Sequence, residues 1–429
     1  MILMYIDPAT GGMLFSVVIG ILGTVIYAIR ALAVKLKFSF AGGHRGEKEK
    51  DVLPFVFFSD NRRYWNVFEP ICDEFERRGQ KAVFMTASAD DPALEKPYEH
   101  IKTMFIGEGN RAYAKLNFLK ADILVATTPG LDVYQWKRSR DVKCYIHIPH
   151  ACTGNMLYRM FGQDYYDVVL GSGTYQIDQI RELEERRGLP KKEIPILGIP
   201  YMDMMRERLT KAGTVPEHPV TVLLAPTWGA SGIFSRYGGE IIDALLSTGY
   251  HIIVRPHPQS FITETEMIEG IMQQYPECDQ LEWNRDNDNF EVLRRSDILI
   301  SDFSGVIYDY VLVFDKPIIY TDVQLDKSPY DAWWLKEDPW NLRVIPKLGL
   351  QLTPETFSEL KKMIDTCLNS QEFKRERDKA REETWQCMGE GTALTVDYLL
   401  NKQIVLHERR STETQEVRKE NGKDVPISA

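Results

Sequence analysis

The sequence predicts an α/β protein made of two Rossmann-like halves facing a cleft, preceded by one N-terminal transmembrane helix, and three observations lead there. Short apolar runs of strand length alternate with helical periodicity from residue 53 to about residue 400, the pattern of parallel βα units. A polar break at 211–219 (KAGTVPEHP), with two prolines and no apolar period, divides that series in two. An uncharged apolar stretch at residues 13–29 comes before both. The 429 residues suit two cores better than one.

Residues 13–29 (MLFSVVIGILGTVIYAI) extend past Arg30 through 31–34, enough for the roughly 20 residues a bilayer core requires. No Lys or Arg precedes the stretch, whereas Arg30, Lys35, Lys37, Arg45, Lys48 and Lys50 follow it. A cleaved signal peptide has the reverse polarity. The positive-inside rule therefore predicts an uncleaved, single-pass anchor at 1–37 in the cell membrane, with the rest of the chain in the cytoplasm. A hydrophobic hairpin or interfacial helix is the other reading. Residues 38–51, basic and glycine-containing, form a linker suited to anionic headgroups.

Strand-like runs at 53–58, 81–85, 101–106, 122–127, 143–148 and 167–170 assign an N-terminal domain to 52–210. Runs at 220–225, 251–256, 297–301 and 317–320 alternate with helical patterns near 238–247, 263–274 and 289–295, and assign a C-terminal domain to 219–400. The tail 401–429 is polar, and from about residue 411 it has no apolar period, so disorder is expected there.

With a formal charge of −10 the chain lacks the excess of cations a general nucleic-acid binder needs. The six cysteines (Cys72, Cys144, Cys152, Cys278, Cys367, Cys387) form no CxxC pair, which fits a reducing compartment and burial as small apolar residues. No His/Asp/Glu cluster has metal-ligand spacing, and the DNDN run at 286–289 precedes a helix that it would cap. Neither a metal nor a cofactor is implied.

In parallel sheets ligands bind outside the carboxyl ends of the strands, and the unusual residues of this sequence cluster there. His150 follows the run 143–148 in YIHIPHACTG, where an imidazole titrating near neutrality suits a base that takes a proton from a hydroxyl. A histidine satisfying backbone groups at a strand end is the plain alternative, and it is the better reading for His147 inside the strand. VRPHPQ places Arg255 and His257 directly after another strand, in a proline-stiffened turn, where they could hold phosphate oxygens and a departing anion. A turn with an exposed histidine explains the same residues. In 298–314 (ILISDFSGVIYDYVLVF) a strand leads through Ser301, Asp302, Ser304 and Gly305 into a helix whose N-terminus would favour an anion. Simple capping by Asp302 or Ser304 is the competing account, and no Gly-Lys-Ser/Thr follows to make a Walker loop. APTWGASG at 225–232 offers Thr227 as a phosphate donor and Trp228 as a pocket wall or as packing.

Five motifs in fixed order, PHACTG (149–154), ILGIPYMD (196–203), LLAPTW (223–228), VRPHP (254–258) and SDFSGVIYDY (301–310), resemble the CDP-glycerol glycerophosphotransferase family, the teichoic acid primases and polymerases. The similarity spans about 51–400. It implies a GT-B-like architecture, two Rossmann-like domains across a cleft, and no required metal in the chemical step. It implies a nucleotide-activated polyol phosphate as donor and a polyprenyl-linked saccharide or growing polymer on the membrane as acceptor. By motif, His150 matches the family's proposed base and His257 the histidine at the donor diphosphate. Thr227, Trp228, Arg255, Ser301, Asp302, Ser304, Gly305 and Asp309 fall on the donor side. For Asp309 a solvent-facing helix position is the plain alternative. Two departures stand out: Pro149-His150-Ala151-Cys152-Thr153 where the family has a Trp-His-Gly-Thr-Pro-like run, and Ser304-Gly305 where Ser-Ser is common. The polyol, glycerol or ribitol or another, stays open. A GT-B glycosyltransferase or epimerase using a UDP- or GDP-sugar shares the fold, and a non-catalytic membrane scaffold is the third reading.

Overall fold

Phe55, Val56, Phe57 and Phe58 of strand β1 (Leu53–Ser59) are all buried, yet they belong to two different cores. Phe55 and Phe57 pack on the helix Trp65–Arg77, where Phe75 meets them edge-on at 5.0 and 5.2 Å; Val56 and Phe58 face the opposite layer with Trp136 and Tyr145. This period of two, with both faces apolar, marks a central parallel strand sandwiched between helices. The computed structural model describes residues 52–152, 155–286 and 288–421. The predicted anchor at 1–37 and the linker at 38–51 lie outside the described residues, and among the described residues no helix is long and apolar enough to cross a membrane.

The first sheet adds β2 (Ala82–Thr86), β3 (Ile101–Phe105), β4 (Ala121–Ala126), β5 (Val142–His147) and β6 (Val168–Val169), all parallel, in the order β3-β2-β1-β4-β5-β6. The second contains β7 (Thr221–Leu224), β8 (His251–Val254), β9 (Leu281–Trp283), β10 (Ile298–Ser301), β11 (Ile318–Thr321) and β12 (Gly349–Leu352), also parallel, in the order β12-β11-β10-β7-β8-β9. Counted within each half, the two orders are the same Rossmann order. Each has its switch point between the first and fourth strands: β1 and β4 in one sheet, β7 and β10 in the other. Here too the strand positions alternate, Leu223, Ile253 and Leu299 in one core and Val222, Leu224, Ile252 and Ile300 in the other.

The ten strand-like runs all appear. Two short strands, β9 and β12, add to them; LEW and GLQL hold too few apolar residues to stand out. The helix Pro200–Ala212 ends at the polar break and packs Tyr201, Met202 and Met205 into the core of the second half.

The expectation of a disordered tail is corrected for 401–421, which are helical, while 422–429 lie outside the described residues. The last helix, Gly391–Asn421, crosses back to the first half, where Val396 and Leu399 are fully buried against the β1 core. Tyr398 donates to Glu193 at 2.7 Å, Lys402 pairs with the same carboxylate, and His407 lies 2.8 Å from Asp122. The first domain is therefore completed by residues from the far end of the chain. A second crossing comes from the loop after β11. Its Asp331 forms a buried ion pair with Arg187 at 2.6 Å and accepts the backbone N–H groups of Phe161 and Gly162 at 2.8 and 3.2 Å.

Candidate active site

The carboxyl ends of both sheets carry the polar residues. After β5 the chain turns through Ile148 and Pro149 and presents His150. Its Nδ1 lies 2.9 Å from the hydroxyl of Thr127, which follows β4, and 3.3 Å from that of Tyr158. The ring of Tyr64, just beyond β1, sits 4.7 Å from the imidazole. Burial pushes the His150 pKa down to about 4, and the Arg63 guanidinium pushes the same way. The ring is thus neutral at pH 7. A proton on Nδ1 donated to Thr127 leaves the lone pair of Nε2 free, the form a general base needs.

His257, after β8, is half-buried. Its Nδ1 accepts the backbone N–H of Gln259 at 3.1 Å, so the proton of the neutral ring sits on Nε2 as a donor. Its pKa is also pushed down to about 4, by burial first and then by Arg63 and Arg255. Arg63 belongs to the first half and His257 to the second. The positive charge of Arg63 opposes protonation of both rings.

The neighbouring Arg255 is pinned by Asn284 and by the carbonyl of Asp286 at 2.8 Å. Trp228 is 44% exposed, with its ring 6.4 Å from that of His257. Thr227 is half-buried beside it, and its hydroxyl makes no hydrogen bond among the described residues. The loop closes tightly because residue 232 is glycine: a Cβ there would lie 2.6 Å from the Thr227 carbonyl.

Three residues expected on the donor side are engaged within the protein. The Ser301 hydroxyl is fully buried and donates to the Ala225 carbonyl at 2.6 Å. The buried Asp302 carboxylate accepts four backbone N–H groups, from Thr227 (3.0 Å), Ile233 (3.4 Å), Phe303 (2.8 Å) and Ser304 (3.1 Å). It occupies the anion niche that the sequence assigned to a ligand, and ties the loops after β7 and β10 together at the switch point. Burial outweighs those hydrogen bonds and pushes its pKa up to about 6. Asp309 opens a π-helical turn, Asp309–Val313, and accepts the Tyr201 hydroxyl at 2.6 Å, fixing the linker helix rather than a phosphate. Its pKa is likewise pushed up to about 6 by burial. Ser304 and Gly305 remain half-buried in the loop, with the Ser304 hydroxyl uncommitted among the described residues. His147 is buried at the end of β5, Nδ1 3.0 Å from Gln163, in keeping with a structural role.

Sequence reasoning passed over Asp60, Arg63 and Tyr64. The signal was there, since SDNRRYW begins at the carboxyl end of β1, beside the first switch point. The Asp60 Oδ1 is buried with no partner, and burial raises its pKa although Arg63 and the Thr128 hydroxyl oppose this.

A family model described as CDP-glycerol:poly(glycerophosphate) glycerophosphotransferase matches residues 56–393. The chain belongs to this family. It is a transferase of the CDP-glycerol glycerophosphotransferase type. No curated protein matches it. Among solved structures it is similar to the wall teichoic acid polymerase TagF soaked with CDPG, at 16% identity and a TM-score of 0.56 over 84% of this chain and 92% of that one. It is also similar to UDP-N-acetylglucosamine 2-epimerase from Rickettsia bellii (11%, TM-score 0.53, 82% and 96%) and to the S. aureus MnaA–UDP co-structure (11%, 0.52, 82% and 98%). At such identities these likenesses concern the two-domain fold.

Proposed function

We propose that this glycerophosphotransferase moves glycerol phosphate, or a related polyol phosphate, from a CDP-activated donor to a hydroxyl of a lipid-linked saccharide, working at the cytoplasmic face of the cell membrane to which residues 1–37 anchor it. The observation that carries this is that His150 and His257 each stand just past the carboxyl end of a strand, one in each half, with Nδ1 of His150 beside the Thr127 and Tyr158 hydroxyls and Nδ1 of His257 accepting the Gln259 N–H.

The acceptor oxygen forms a bond to the donor's β-phosphorus, and its proton passes to Nε2 of His150. The bond from that phosphorus to the bridging oxygen breaks, and CMP leaves with the electron pair. Negative charge grows on the leaving phosphate, where the Nε2–H of His257 and the guanidinium groups of Arg63 and Arg255 face it. Donors fixed in advance stabilise such charge without reorganising. Thr227, Ser304 and Gly305 line the donor's path, and Trp228 offers a flat face beside His257. Membrane attachment is supported by the uncharged run at 13–29 and the basic residues after it.

Isothermal titration of the full chain with CDP-glycerol, CDP-ribitol, UDP-sugars and free nucleotides, repeated on His257→Ala, tests this. CDP-polyol binding that weakens in the variant supports the reading. Preference for a UDP- or GDP-sugar would replace it with a glycosyltransferase or epimerase, and absence of nucleotide binding with a scaffold.

A further inference from the structure

The first half contains a cavity of about 330 Å³ that none of the donor residues lines. Its walls are Tyr113, Tyr134 and Trp136, with Thr128, Gln135 and Arg159 at the edges. Tyr113 and Trp136 are parallel, with an interplanar angle of 10° and centroids 6.3 Å apart. Tyr134 is 46% exposed and lies over Gly130, where a Cβ would come within 2.5 Å of its ring; with φ at +84° only glycine suits the position. Trp136 is 2% exposed, yet its indole N–H has no acceptor.

The cavity adjoins the base. Thr128 in the cavity wall follows Thr127, whose hydroxyl lies 2.9 Å from Nδ1 of His150. A ligand here reaches the reaction from the acceptor side. Flat aromatic walls suit a ring with an apolar C–H face. A glycerol phosphate unit has no such face. The Arg159 side chain is exposed at the rim, and among the described residues it forms no ion pair. It is placed to take a phosphate on the far side of the ring.

We propose that this cavity binds a sugar ring of the acceptor, holding the saccharide so that one hydroxyl reaches His150. The ring's role as acceptor rests on the glycerophosphotransferase reading; its binding does not.

The test is an NMR titration of the full chain, in a sugar-free zwitterionic detergent, with the methyl β-glycosides of glucose, galactose and N-acetylglucosamine, and with a glycerol phosphate oligomer. No donor is added. At least one glycoside is expected to bind, with Kd rising about three- to tenfold in Tyr134→Ala, the loss of one aromatic contact. Tyr134 is exposed, so its variant keeps the fold, as circular dichroism would verify. Absence of glycoside binding, binding indifferent to Tyr134→Ala, or equal dependence of the oligomer on Tyr134 would overturn the proposal. CDP-glycerol affinity, measured on the same samples, should not change in Tyr134→Ala. If the wild type binds glycoside but not CDP-glycerol, the sugar site stands and the donor reading falls.

Discussion

The Asp302 carboxylate accepts the backbone N–H of Thr227 at 3.0 Å, joining loops that lie 75 residues apart in sequence. A side chain that looks like a ligand for donor phosphate is the clasp that shapes the donor pocket. Asp302→Asn keeps one acceptor oxygen and turns an NH2 group toward backbone donors. Each N–H left unpaired costs about 1–3 kcal/mol, so urea unfolding should show a loss of that order or more. Donor affinity should fall with it, since the loop bearing Thr227 and Trp228 loses its tether. Unchanged affinity would mean that the loop holds its shape without the clasp.

Arg63 lowers the pKa of both histidines, and Arg63→Ala should raise both. Burial, the larger cause, remains, so neither should regain the ordinary value of about 6.5. NMR titration of the imidazole Cε1 protons reads this directly. A shift at His150 alone would show that Arg63 does not serve the second half.

Histidines with pKa near 4 set the pH behaviour. The acid limb of kcat/KM should fall near pH 4 rather than 6.5, because His150 must be neutral to act as base. Stability follows the same sign. Unfolded histidine takes up a proton near pH 6.5 and the folded rings only near 4, so they contribute a loss of stability as pH falls through that window. Asp302 and Asp309, pushed up to about 6, act oppositely between about pH 6 and 3.8. The comparison is therefore with a His150→Asn, His257→Asn protein, whose Tm should drop less than the wild type's between pH 7 and 4.5.

Arg187 pairs with Asp331 at 2.6 Å and Asp164 at 2.7 Å, all three side chains nearly inaccessible. Arg187→Ala strands two buried carboxylates, and unfolding should become easier by about 3–5 kcal/mol. The same bond holds the loop after β11 beside Tyr158, whose carbonyl accepts the Asp331 N–H at 3.0 Å. Acceptor-side kinetics should suffer more than donor binding. A loss below about 1 kcal/mol would place this pair with exposed ones.

Both sheets were legible because every central strand is apolar on both faces, as in PFVFF of β1 and ILIS of β10. His150 and His257 were legible because a polar residue just past such a strand has few structural reasons to be there. Asp302 was misread, since its partners Thr227 and Ile233 come from a different loop and no local pattern announces them. The last helix was misread for a similar reason. Val396 and Leu399 are buried by the first half, while their sequence neighbours Asp397 and Lys402 pair with Arg78 and Glu193 and look like a solvated face. Arg63 was passed over because an arginine in a loop is ordinary until the strand order puts it at a switch point.

The central claim is that the two histidines drive transfer of a polyol phosphate. The most direct test supplies the full chain and its membrane acceptor with CDP-glycerol labelled in the glycerol, and follows label in the lipid fraction together with CMP. The account predicts equal amounts of both, with a rate reduced on the order of a hundredfold to ten-thousandfold in His150→Ala. Label transfer at the wild-type rate in that variant, or CMP release without lipid-bound glycerol, would contradict it.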